Sequence, residues 1–259
     1  MTTNLFLVVL LIVLLVYIWW NLFFKNDRFK ERAFPSEWRK ILEQKVRFYQ
    51  NLSKEDRHRF EQDVLELLDD ITITGVETSV SDTDKMLVAS SGVIPLFGFP
   101  NWKYRNLNEV LLYEGTFNHD YQTKGKGRNI LGMVGEGAMQ RMMILSKSAL
   151  HQGFENTYSK NNVGIHEFVH LLDKADGDTD GIPEVFIEQQ YLIPWVTEMH
   201  QEIKDIKTHK SNINPYGATN QAEFLSVVSE YFFNQPRRLA KDHPELFELL
   251  EEIYKQDLA

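Results

Sequence analysis

Residues 166–170 read His166-Glu167-Phe168-Val169-His170, and this spacing ties chemistry to secondary structure. Side chains four apart share one face of an α-helix, so both imidazoles reach a single metal ion only if the segment is helical. Glu167 is then placed as a general base toward water activated by that metal. Val163-Gly164-Ile165 precede the motif, and Phe168-Val169 and Leu171-Leu172 run through and past it. This apolar setting predicts a buried helix rather than a surface helix with two solvated histidines. Buried histidines and a buried glutamate need partners, and a bound cation supplies one. The residues alone point to a zinc-dependent hydrolase.

A catalytic zinc site takes three protein ligands and keeps one position for water, so a third ligand is required. Asp176 lies six residues past His170, but a ligand there calls for a glycine where Asp173 stands. His200 and His209 sit in a charged, lysine-containing stretch that reads as exposed. Glu223 is the better candidate. It lies in a mostly apolar segment, Ala222 to Phe233, behind a helix-start signal at Thr219 or Asn220. Glu230 is seven residues further on the same helical face and is expected to be a structural carboxylate rather than a ligand. Tyr216, after the turn signal Asn214-Pro215, reads as a turn tyrosine packing on the helix that follows. Asp173 can orient one of the two histidines. Asp176, Asp178, Asp180 and Gly181 imitate the start of a calcium loop, but the closing glutamate is missing because the twelfth position is Ile187.

Taken together, these segments resemble the Mlc titration factor A family of zinc-dependent peptidases, on the gluzincin side of the zincins. The resemblance is carried by Asn162 to Asp173, Asp180-Gly181-Ile182-Pro183, Tyr216 to Phe224 and Ser229 to Phe233, with Phe34-Pro35, Trp38 and Gly135-Glu136 upstream. It implies one zinc ion per chain, held by His166, His170 and Glu223. It further implies Glu167 as the catalytic base and Tyr216 as the group that stabilises the transition state. A peptide or protein substrate follows, an aminopeptidase acting on short peptides being one form. The family name also implies a second class of function, a regulatory protein that sequesters a transcriptional repressor or another cytoplasmic partner. Arg141-Met142-Met143-Ile144-Leu145 reads as a strand and, by analogy with zincins, is assigned to pair with an extended substrate.

The amino terminus carries a separate message. Leu5 to Phe24 contains no charged side chain, and about 20 apolar residues suffice for a helix to cross a bilayer. Tyr17, Trp19 and Trp20 suit the membrane interface. No basic start and no small-residue cleavage site marks a secretory signal. Lys25, Arg28, Lys30 and Arg32 follow the run and none precedes it, which predicts a single-pass anchor with a cytoplasmic catalytic domain. The absence of cysteine agrees with a reducing compartment. A net charge of -9 argues against nucleic acid as a direct ligand.

The expected organisation is an anchor over 1–24, a charged linker over 25–33 and a zincin-like peptidase domain over 34–259. Helices are predicted over 36–50, over 54–69 with Ser53 as cap, over 184–207 and over 243–256. The middle, 71–150, reads as short strands such as Met86 to Ala89 and Val110 to Tyr113, with turns at Gly92 and Pro95. Lys124 to Arg128 reads as a hairpin tip. The predicted fold class is α+β, with a mixed sheet and an active-site helix.

Overall fold

A computed structural model describes residues 32–258 other than 126, 136 and 157, together with Leu14 and Val16. The predicted membrane segment therefore lies outside the described residues, apart from those two helical, exposed positions. Among the described residues no helix is long and apolar enough to cross a membrane. The chain divides into two compact units, one ending at Phe34 and one beginning at Pro35.

The second unit is α+β, as expected. Its described residues form ten helices, four strands and two short 3-10 turns. Two helices, α1 (Ser36–Lys45) and α2 (Arg47–Asn51), share the predicted 36–50 segment because Val46 leaves helical geometry at φ -107° and ψ 95°. The next, α3 (Lys54–Asp70), starts where Ser53 accepts the Asp56 backbone N–H. That side-chain bond satisfies a donor the helix itself leaves unpaired. The remaining elements are β1 (Thr72–Val76), α4 (Asp82–Leu96), β2 (Glu109–Tyr113), β3 (Gly132–Val134), β4 (Met142–Ser146), α5 (Lys147–Glu155), α6 (Val163–Asp173), α7 (Gln189–Lys207), α8 (Gln221–Asn234), α9 (Pro236–Asp242) and α10 (Pro244–Tyr254).

The four strands form one mixed sheet in the order β1-β2-β4-β3. The β1–β2 and β2–β4 pairs are parallel, with Thr72 opposite Glu109 and Glu109 opposite Met142. Only β3 runs antiparallel, with Gly132 opposite Leu145. This topology corrects one expectation. The strand in 141–145 is β4, and β4 is paired on both sides, so it has no edge to offer an extended peptide. That edge belongs to β3.

A second correction concerns Met86 to Ala89, with its turns at Gly92 and Pro95. All three lie inside α4, which begins at a reciprocal cap. Ser81 Oγ accepts the Asp84 N–H at 3.2 Å, and Asp84 Oδ2 accepts the Ser81 N–H at 2.7 Å. From Met86 to Pro95 every residue of α4 is buried, so no apolar periodicity distinguishes it from a strand. Gly92 admits neighbours from two helices, since a β-carbon there would lie 2.7 Å from Leu67 and 2.8 Å from Phe168.

The core is built around α6, which packs against α4, α5, α8 and β3. Phe168 and Val169 on α6, Phe224 and Phe232 on α8 and Trp195 on α7 are fully buried. Burial of this kind stabilises by about 1.5–3 kcal/mol for each large apolar side chain, which fixes the two functional helices against each other.

Candidate metal centre

Helix α6 opens at Asn162, whose side chain accepts the Ile165 N–H at 3.2 Å. One turn later His166 and His170 project from the same face, and their Nε2 atoms lie 3.1 Å apart. The third member comes from α8. Asn220 caps that helix by accepting the Glu223 N–H at 2.8 Å, which places Glu223 in the first turn. Its Oε2 is 3.0 Å from His166 Nε2 and 3.5 Å from His170 Nε2. Among the described residues this is the one group of three such side chains able to share a metal ion.

The spacing fits tetrahedral coordination. Metal–ligand bonds of about 2.0–2.1 Å at tetrahedral angles separate the donor atoms by roughly 3.3–3.4 Å. The three distances found here bracket that value. The electrostatics agree. Burial works against a charged His166, yet Glu230 and Glu223 outweigh it and hold its proton affinity well above the ordinary histidine value. Burial likewise opposes ionisation of Glu223, but the two histidines outweigh it and keep the carboxylate charged. A site that attracts a proton this strongly also attracts a divalent cation, which competes for the same lone pairs.

Outer partners orient the ring nitrogens. His166 Nδ1 is 2.7 Å from Glu230 Oε1, and the Asn162 N–H donates to Glu230 Oε2. His170 Nδ1 is 3.3 Å from Ser226 Oγ. With Nδ1 of His166 donating to the carboxylate, its Nε2 presents a lone pair to the centre. Glu230, expected from sequence to be a structural carboxylate, is thus placed to orient His166. Ser226 was not anticipated. Its signal was the stripe Glu223, Ser226, Glu230, spaced to share one helical face.

Glu167 is buried beside the histidines, and burial raises its proton affinity above that of an ordinary glutamate. Gly132 of β3 packs directly on it. Over the group opens a cleft of about 310 Å³, walled by Ile130, Met133 and Val134 on one side and by Tyr216, Lys174 and Thr179 on the other. The Tyr216 ring centroid lies 6.1 Å from that of His166. Partial burial, then the nearby Glu223 carboxylate, push its phenol up to about 12.

Other sequence candidates lie elsewhere. Asp176 accepts the backbone N–H groups of Asp178 and Glu184 in the exposed loop after α6. His200 pairs with Gln221 Nε2 at 2.9 Å, and His209 is exposed just past α7. Asp173 does not orient a histidine. Both of its carboxylate oxygens accept the Gly181 N–H at 3.0 Å, tying down the acidic loop, and burial pushes its carboxyl up to about 6.

Comparison with known proteins places this arrangement. The model of the glucose-regulated metallo-peptidase M90 family matches residues 20–255. The chain belongs to the M90 family. Membership accounts for a two-histidine helix facing a glutamate, since the family's name implies a metal. An uncharacterized protein of Synechocystis sp. is 27% identical over 262 residues, covering 95% of this chain and 94% of its own length. Mlc titration factor A of Pectobacterium atrosepticum is 28% identical over 184 residues, 66% of this chain and 64% of its own. The protein of that name from Salmonella arizonae is 30% identical over 166 residues, 58% and 63% respectively. The kinship expected from the motifs therefore holds. The chain nevertheless spans less than two thirds of the Mlc titration factor A proteins that it matches.

Proposed function

We propose that this chain is a zinc-dependent metallopeptidase that hydrolyses peptide bonds with Glu167 as general base. The carrying observation is the triangle of His166 Nε2, His170 Nε2 and Glu223 Oε2, with separations of 3.0–3.5 Å and Glu167 buried beside it. One zinc ion held there would polarise both water and the substrate carbonyl. Glu167 takes the proton from the attacking water and later delivers it to the leaving amine. Its burial favours the proton-carrying form that this second step needs. Tyr216 stays protonated near neutrality and donates to the oxyanion that forms on the carbonyl. The outer edge of β3 carries no strand among the described residues and offers main-chain groups to an extended peptide.

The resemblance supports an aminopeptidase acting on short peptides. The apolar run Leu5 to Phe24 supports a single-pass membrane anchor, and the cations from Lys25 to Arg32 support a cytoplasmic catalytic domain. A reporter fused to the carboxyl terminus should then behave as cytoplasmic, and an exported signal overturns that orientation. The name carried by the relatives, Mlc titration factor A, favours a second reading in which the chain binds a transcriptional regulator. Intact ligand and base residues support catalysis over binding alone.

The deciding experiment measures metal content and peptide cleavage together. Wild type should hold one zinc per chain, and His166→Ala, His170→Ala and Glu223→Ala should each lose it. Glu167→Gln should keep zinc and lose cleavage. Undiminished hydrolysis by Glu167→Gln would remove Glu167 as the base. Full zinc binding by Glu223→Ala would remove the third ligand.

A further inference from the structure

Tyr216 hydrogen-bonds to Glu223 through its side chain and sets its ring 6.1 Å from that of His166. It is 53% exposed and sits on a four-residue 3-10 turn, Pro215–Ala218. The chain before it, residues 208–214, has no regular structure. A phenol that stabilises an oxyanion must be held to a fraction of an ångström, so the backbone that carries it has to be fixed as well.

Residues 160 and 161, immediately before α6, reach this segment, beside contacts from Asp242 and His243 to Asn212 and the burial of Ile213. Lys160 Nζ donates to Asn212 O at 2.7 Å and to Asn212 Oδ1 at 2.9 Å. The same ammonium lies 4.2 Å above the ring of Tyr231, a buried residue of α8. Charged neighbours on α9 are Arg238 and Asp242. Asn212 Nδ2 in turn donates to Asp242 Oδ2 at 2.6 Å. Two residues on, Asn214 Nδ2 donates to Asn161 Oδ1 at 3.3 Å, while Asn214 Oδ1 accepts the Tyr216 N–H at 3.0 Å. The metal helix is held separately, through the Asn162 N–H bond to Glu230 and the Asn162 cap on Ile165.

We propose that Lys160 is a positioning residue for Tyr216, pinning the 208–214 segment so that the phenol stands at a fixed height over the metal centre. This rests on the reading in which Tyr216 serves the oxyanion. A cation suits the task. It bonds a backbone carbonyl and a side-chain carbonyl of one residue at once, while the ammonium sits over a buried aromatic ring. Because Asn162 has its own anchors, loss of Lys160 should loosen the tyrosine segment and leave the metal ligands in place.

The test uses the full chain in mild detergent, with an internally quenched peptide library as substrate. Zinc affinity, thermal midpoint and amide hydrogen exchange of residues 208–218 are followed alongside kinetics. Lys160→Met should lower kcat on the order of ten-fold or more, with KM within about two-fold. Zinc affinity should be unchanged and exchange at 208–218 faster. Lys160→Arg should recover much of the loss, and Asn212→Ser should reproduce it. In a Tyr216→Phe background Lys160→Met should cause no further loss. Multiplying losses in the double variant, an unchanged kcat, or unaltered exchange at 208–218 would each overturn the assignment. A wild-type chain that binds zinc but cleaves no peptide would instead sink the peptidase reading, and this role with it.

Discussion

Gly132 on β3 and Glu167 on α6 approach so closely that a β-carbon at 132 would lie 2.6 Å from both Cγ and Oε1 of the glutamate. The edge strand and the Glu167 carboxylate are therefore fitted to each other, and a side chain at 132 would force one of them to move. Gly132→Ala should displace Glu167 or push β3 away from it. We expect kcat to fall at least about ten-fold, since small displacements of a positioned group cost that much. Zinc content should stay at the wild-type level, because neither residue belongs to the His166, His170 and Glu223 group. Kinetics and metal analysis on the same preparation check both statements.

Glu230 holds His166 through Nδ1 without touching the metal position. Removing such an outer partner lowers metal affinity by roughly 10–100-fold. Glu230→Gln should weaken zinc binding by about that factor, measured by competition with a chromogenic chelator. Glu223→Ala should weaken it far more, because it removes one of the three side chains proposed to hold the ion. Equal affinities for Glu230→Gln and wild type would assign Glu230 to fold stability alone.

Tyr216→Phe removes one hydrogen-bond donor and little else from a half-exposed ring. Loss of an oxyanion donor costs about 2.7–4 kcal/mol of transition-state stabilisation, or roughly a hundred- to a thousand-fold in kcat. KM and zinc content should change little. Steady-state rates across a range of substrate concentrations separate these effects. A loss confined to KM would make Tyr216 a substrate-binding group.

Asp63 offers a pH-dependent test remote from the metal. Burial, with Glu66 adding to it and Arg59 opposing it, raises its carboxyl from 3.8 to about 6. The folded state thus prefers the protonated acid, and ionisation costs stability that is fully felt above about pH 6 and absent below about pH 4. Asp63→Asn should remove that cost. After allowance for solvent screening the gain at pH 8 is on the order of 1 kcal/mol, or roughly 2–4 °C in Tm. The advantage should shrink as pH falls from about 6 to 4, and melting curves at four or five pH values would show it.

Much of the site was legible because helical spacing is a local property. His166 and His170 could be placed on one face, with Glu167 beside them, from their numbers alone, and Ser53 and the Thr219-or-Asn220 signal marked two helix starts, the second capped by Asn220. The sheet was less legible. The helix Asp82–Leu96 is buried all round, so its sequence lacks the alternation that would separate helix from strand. The strands expected at 141–145 and 110–113 are present as β4 and β2, but their places in the sheet were not legible. Whether a strand is central or marginal depends on which other strands flank it, and β3 is only three residues long.

The amino-acid order alone determined which groups could do chemistry here: two imidazoles and a carboxylate one helical turn in extent, and a second carboxylate on a later capped helix. Packing decided the rest. His166 and Glu223 are 57 residues apart in sequence yet 3.0 Å apart in space, because the apolar faces of α6 and α8 bury each other. The same burial turned Glu230 into a support for His166, sent Asp173 to Gly181, and set Gly132 against Glu167. Such pairings depend on how whole elements meet, and no spacing along a single helix or strand encodes them.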